Sequence, residues 1–159
     1  MLDADGLNSL FTFGSLDDFS KIKQCEVLIT PHVKELSRLT GISVLDLQRK
    51  SIYHAEELTK NYPITLLLKG ASTLIINNQK SVLSITGSSA QAKGGSGDVL
   101  SGLIAGLFAQ GANCFDGATL GSYLLGVSGE ISAKKSSEYS ATPTDFIACF
   151  GAAFRANMD

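Results

Sequence analysis

One stretch of this 159-residue chain combines residue types and spacing suited to chemistry on an anion: "AKGGSGDVLSGLIAGLFAQG", residues 92–111. Gly94, Gly95, Ser96 and Gly97 stand directly before Asp98, and an apolar helical pattern follows. The first backbone N–H groups of a helix have no acceptor inside it, and the helix dipole favours negative charge beside them. Glycines let the backbone approach an oxyanion and take positive φ. A carboxylate next to such an anion hole suits a hydroxyl that must lose its proton while attacking a phosphoryl group. The amides then stabilise charge on the transferred group, and Asp98 acts as general base. The competing reading is structural: a tight turn with Asp98 as helix cap. Neither a Walker A sequence nor a GxGxxG dinucleotide fingerprint is present. Lys93 adds a positive charge beside the glycines, either to assist phosphate or simply to be solvated.

These residues need a scaffold, and the pattern reads α/β. "EVLIT" (26–30) is an apolar run stopped by Pro31 and "ITLLL" (64–68) is a second one; both predict buried strands. "TLIIN" and "SVLSI" flank Asn77 and Asn78 and predict a hairpin. Val33, Leu36 and Leu39 keep helical spacing, with Gly41 placed to end the helix. Ser43 with Asp46 is a capping-box pattern opening one amphipathic helix that carries Val44, Leu47, Ala55 and Leu58 inward. Further helices are predicted from 98 to about 110, from 116 to about 134 and from 143 to about 157. The last opens on Thr142, Pro143 and Asp145, another cap signature. Gly102 and Gly106 read as points of close packing against a neighbour. His54, among charged residues, reads as surface.

Composition narrows the function classes. The net charge is -2 and no basic run is present, which argues against a nucleic-acid partner. The longest weakly polar stretch, 99–112, falls short of the ~20 apolar residues that span a bilayer, and the acidic start "MLDADGLNSL" is unlike a signal peptide. Cys25, Cys114 and Cys149 are odd in number and unpaired in spacing, as expected of reduced thiols in the core of a cytoplasmic protein. The length suits a single domain.

Four motifs in order carry a resemblance: "LDADGLN" (2–8), "LITPHVKEL" (28–36), "LLKGASTLI" (67–75) and "GGSGDVLSG" (94–102). They resemble DADxLN, TPHxxE, LKGxxT and GG[ST]GDVL of the ATP/ADP-dependent NAD(P)H-hydrate dehydratases. This is the carbohydrate-kinase-like domain of the YjeF type, in the ribokinase-like superfamily. His32 matters, because related sugar kinases usually carry asparagine there. The resemblance implies a three-layer α/β/α ribokinase-like fold. It implies that Asp98 is the catalytic base, with Gly94, Gly95, Ser96 and Gly97 forming the anion hole. It places Lys69, Gly70, Ala71, Ser72 and Thr73, with Gly97, along an adenine nucleotide, ADP or ATP. His32, with Asp98, would contact the hydrated nicotinamide, and Glu35 would hold Mg²⁺ through water. Asp3, Asp5 and Asn8 would sit at a strand end. Read without the resemblance, Lys69 is a solvated strand-end charge, His32 a helix-start residue, Glu35 a first-turn acid and the 2–8 segment a turn.

The implied reaction is nucleotide-driven dehydration of hydrated NAD(P)H. Two departures from the family accompany it. Family domains are longer, and DADxLN lies well inside them, so residues 1–159 correspond to one partial domain, its C-terminal part, with the N-terminal part missing. Exposed sheet edges then predict a homo-oligomer and a poor catalyst in isolation. The segment "GSSAQAK" (87–93) replaces an Asn-Pro-Gly-Met-like loop. Two alternatives stay open: a small-molecule kinase of the hydroxymethylpyrimidine-kinase type, and an inactive nucleotide-binding fragment.

Overall fold

A four-stranded sheet, ordered β1-β2-β3-β4, organises the first of two compact units. The computed structural model describes residues 1–156. Strand β1 (Val27–Ile29) pairs in parallel with β2 (Ile64–Leu68), and β2 pairs antiparallel with β3 (Thr73–Ile76). The register aligns Ile29 with Leu66 and Leu66 with Ile76, so these side chains share a face. Every residue of β1 and β2 is buried, as apolar runs covered on both faces require. Strand β4 (Ser81–Ser84) is largely exposed and completes the predicted hairpin; the Asn77 side chain accepts the Gln79 and Lys80 amides at its turn.

Helices α1 (Asp5–Phe13), α2 (Val33–Thr40), α3 (Val44–Arg49) and α4 (Ser51–Asn61) belong to this unit. Leu7, Leu36, Leu47, Ala55 and Leu58 from these helices join Ile29, Leu66 and Ile76 in one core. Each buried leucine or isoleucine among them contributes about 1.5–3 kcal/mol. Helix α2 ends as its glycine predicts, with Gly41 at φ 73°. Where one helix was expected after Ser43 there are two, because Lys50 takes non-helical dihedrals of φ −132° and ψ 40°. Ser43 caps α3 through the Asp46 amide. The Asp46 carboxylate turns instead to His54, 2.8 Å away, and to Lys50. The expectation of a surface His54 is corrected: its ring is mostly covered and bridges α4 to α3. The start of the chain is also more helical than expected. Only Leu2 keeps a strand bridge, to Ile29, while Asp5 and Asn8 lie in α1. Asn8 accepts a hydrogen bond from Arg38.

The second unit comprises residues 84–112 and 119 onward. It contains α5 (Ser96–Ala109), most of α6 (Cys114–Lys135) and α7 (Pro143–Arg155). Helix α7 opens as predicted: Thr142 and Asp145 cap each other and Pro143 fills the first turn. Its expected end, about residue 157, lies outside the described residues. The packing expected at Gly102 and Gly106 is absent. A methyl group at either position would meet nothing within 4 Å, since α5 buries the opposite face, through Leu100, Ile104 and Leu107. Close approach belongs to α6: a Cβ at Gly121 would lie 2.6 Å from Ile104 Cγ1.

Cys114 and Cys149 are buried, but Cys25 is exposed, because it precedes β1 instead of lying in it. All three are free thiols. Burial pushes the Cys114 thiol up to about 11. Among the described residues no helix is long and apolar enough to cross a membrane.

Candidate active site

In the first unit the candidate residues collect at the C-terminal ends of the parallel strands, where open α/β sheets bind ligands. The Leu2 amide donates to Leu28 O and the Thr30 amide to Leu2 O, which brings Asp3 beside the end of β1. His32 and Lys69 are bridge partners, and the Lys69 amide donates to Pro31 O at 2.9 Å. Asp3, His32 and Lys69 therefore stand on adjacent chain segments. The Lys69 ammonium donates to Asp3 Oδ1 at 2.7 Å. Lys69 is thus an ion-paired residue and not a freely solvated strand-end charge. Gly70, Ala71 and Ser72 follow as an exposed turn, and Thr73 opens β3.

His32 and Glu35 form a reciprocal cap at the start of α2. The Glu35 amide donates to His32 Nδ1 at 3.0 Å, and the His32 amide donates to Glu35 Oε2 at 2.8 Å. Two helix-end donors are thereby satisfied. The His32 ring remains half exposed, while the Glu35 side chain is only 8% exposed. Among the described residues no three His, Cys, Asp or Glu side chains converge as a metal cage. Mg²⁺ needs none, since it usually takes one or two carboxylates with waters and phosphate oxygens. Glu35, with Oε2 committed to an amide, fits the water-mediated role and not direct encirclement.

In the second unit, α5 begins at Ser96, two residues earlier than its periodicity predicts. Gly95 is the N-cap with φ 92°, a conformation that favours glycine. Asp98 is accordingly the third helical residue and not the cap. Its carboxylate is exposed on the same turn as the amides of Gly97 and itself, which no intrahelical carbonyl can reach. The Ser96 amide donates to Lys93 O at 3.3 Å. The Ser96 hydroxyl is buried with no hydrogen-bond partner among the described residues. Open amides and an orphaned hydroxyl at a helix start are chemistry that an anion would complete.

Lys93 answers neither expectation set for it. Its ammonium donates to the carbonyls of Glu138, Tyr139 and Ala141 at 2.9, 2.9 and 2.5 Å. Pro143 was also missed as a neighbour of the glycines. A Cβ on Gly95 would lie 3.2 Å from its Cγ. Neither contact has a signal in local spacing, because the partners are more than forty residues apart.

The fold is that of ribokinase-like proteins. A ribokinase-like superfamily protein from Enterococcus faecalis V583 superposes with a TM-score of 0.81 at 23% identity, over 98% of this chain and 51% of that one. The profile of the NAD(P)H-hydrate dehydratase family matches residues 1–150, and the chain belongs to that family. It is 41% identical over 128 residues to the bifunctional NAD(P)H-hydrate repair enzyme Nnr of Helicobacter pylori, covering 77% of this chain and 27% of that protein. It is 34% identical over 133 residues to the ADP-dependent (S)-NAD(P)H-hydrate dehydratase of Neisseria meningitidis serogroup B, covering 82% and 44%. The ADP/ATP-dependent NAD(P)H-hydrate dehydratase of Bacillus subtilis, co-crystallised with ATP and Mg²⁺, superposes with a TM-score of 0.78 at 29% identity, covering 82% and 48%. The chain spans less than half the length of these curated relatives.

Proposed function

We propose that this chain carries the catalytic base and anion hole of an ADP- or ATP-dependent NAD(P)H-hydrate dehydratase. The observation that carries the reading is the position of Asp98: third residue of α5, directly after a left-handed glycine cap, on a turn with unreached amides. The family match runs through residues of both units, which supports reading them as parts of one domain.

Asp98 takes the proton of the hydroxyl on the hydrated nicotinamide ring as that oxygen attacks the terminal phosphorus of the nucleotide. The open amides of the turn at Gly94, Gly95 and Gly97 hold the phosphoryl oxygens as charge develops on them, while the Ser96 amide, given to Lys93 O, keeps the cap in place. The C–O bond of the phosphorylated ring then breaks, inorganic phosphate leaves, a ring proton is lost and the ring double bond returns. Lys69 to Thr73 run along the nucleotide, and the exposed turn at Gly70, Ala71 and Ser72 leaves its backbone open for that contact. His32 meets the nicotinamide with its half-exposed ring. Glu35 would hold Mg²⁺ through water, and the ion would supply charge neutralisation to the phosphates. Three free thiols agree with a reducing cytoplasmic setting, and a homo-oligomer remains part of the proposal.

The test is incubation of the chain with hydrated NADH and either nucleotide, following NADH absorbance and phosphate release together. Stoichiometric appearance of both supports the dehydratase. A stable phosphorylated product without NADH would replace it with a kinase.

A further inference from the structure

Lys93 stands two residues before the cap of α5, yet its side chain points to a different segment of its own unit. We propose that Lys93 is a positioning residue for the anion-binding turn, its ammonium acting as a tethered cation inside a backbone carbonyl cage. The inference rests on the anion-hole reading above.

Three carbonyl oxygens, from Glu138, Tyr139 and Ala141, converge on one ammonium within 2.9 Å. Carbonyls that face one another repel unless a cation sits among them, and a carbonyl shell is also how a dehydrated monovalent ion is held. A lysine head supplies three donors for three acceptors, so the match is complete. The cage lies immediately before Thr142 and Pro143. Ala141 is buried, and its amide is bonded to Ser137 O, which ties this end of the segment down. Pro143 in turn packs under Gly95, where a Cβ would lie 3.2 Å from the ring. Gly95 needs its positive φ to aim the following amides. The route therefore runs from the Lys93 ammonium through the 138–141 carbonyls and the Pro143 ring to the Gly95 cap. Lys93 also accepts the Ser96 amide on its own carbonyl, which fixes the cap from the other side. A phosphate contact would need the ammonium that the cage already occupies.

Lys93→Met keeps the stem and removes the charge, leaving a cage that a free ion of suitable size would refill. Hydrogen exchange at the Val99 and Ala141 amides, and ADP affinity by calorimetry, would be measured on the full chain in tetramethylammonium buffer. Both would then be repeated with ammonium or potassium chloride. The variant should exchange faster at both amides and lose about tenfold or more in ADP affinity, the scale typical of removing an outer-shell partner. Ammonium or potassium should restore both, while the wild type should respond to neither ion. Pro143→Ala leaves the cage intact but removes the ring, so it should show the affinity loss without rescue. Unchanged exchange at Val99 in Lys93→Met overturns the proposal, as does a loss that neither ion restores or wild-type affinity in Pro143→Ala. Absence of ADP binding by the wild type would refute the anion-hole reading, whereas the exchange data would still decide the role of Lys93.

Discussion

Lys69 Nζ lies 2.7 Å from Asp3 Oδ1, joining residues 66 positions apart. The side chains are 24% and 16% exposed, so water screens the pair only in part. Removing Lys69 takes from Asp3 a charge-assisted hydrogen bond at the end of the sheet. Lys69→Met should destabilise the fold by about 1–3 kcal/mol. Asp3→Asn combined with Lys69→Met should cost less than the sum of the single changes. Urea unfolding of the four proteins checks this, and strict additivity would mean that the pair contributes nothing.

Asp98→Asn keeps the size of the side chain and abolishes its basicity. Turnover should fall by about 10²–10⁴-fold, as expected on loss of a general base. Nucleotide affinity should hold, because the amides of the turn are unchanged. A coupled assay with a parallel binding titration separates the two effects, and near-normal turnover would remove Asp98 from the chemistry.

Two glycine substitutions should have opposite signs. A Cβ at Gly126 would stand 2.6 Å from Thr86 Cβ and 2.8 Å from the Thr86 carbonyl carbon, so backbone must move. Gly126→Ala should cost about 1–3 kcal/mol. At Gly102 the same change meets nothing within 4 Å, and in mid-helix it should stabilise by about 0.5–1 kcal/mol. Thermal melts of both variants decide the matter.

The cap of α7 makes stability depend on pH. Hydrogen bonds from the Thr142 hydroxyl and amide hold the Asp145 carboxyl below its ordinary value. A group depressed in the folded state contributes stability above its unfolded pKa, near 3.8, and loses it as pH falls through the folded value. Asp145→Asn should therefore melt below the wild type at neutral pH, and the gap should close on acidification below about pH 4. A constant gap across that window would assign the loss to something other than the ionised cap.

Much of this protein was legible in order along the chain. "ITLLL" became β2 at the expected residues, Gly41 ended α2, and Thr142 with Pro143 and Asp145 opened α7. These are local decisions: burial of an apolar run, a left-handed cap and a proline at the first helical turn are set by neighbouring residues. The glycines before Asp98 were legible as a helix start for the same reason, although α5 begins at Ser96 because Gly95 carries the cap. What local pattern did not contain was the partner of each charged group. Lys69 reaches back to Asp3, Lys93 forward to the 138–141 carbonyls, and Asp46 leaves its own helix cap for His54. A charge can meet any partner that folding brings within about 3 Å, and the chain between carries no record of that meeting. Only the tertiary structure decided which cations stay in water and which hold backbone in place.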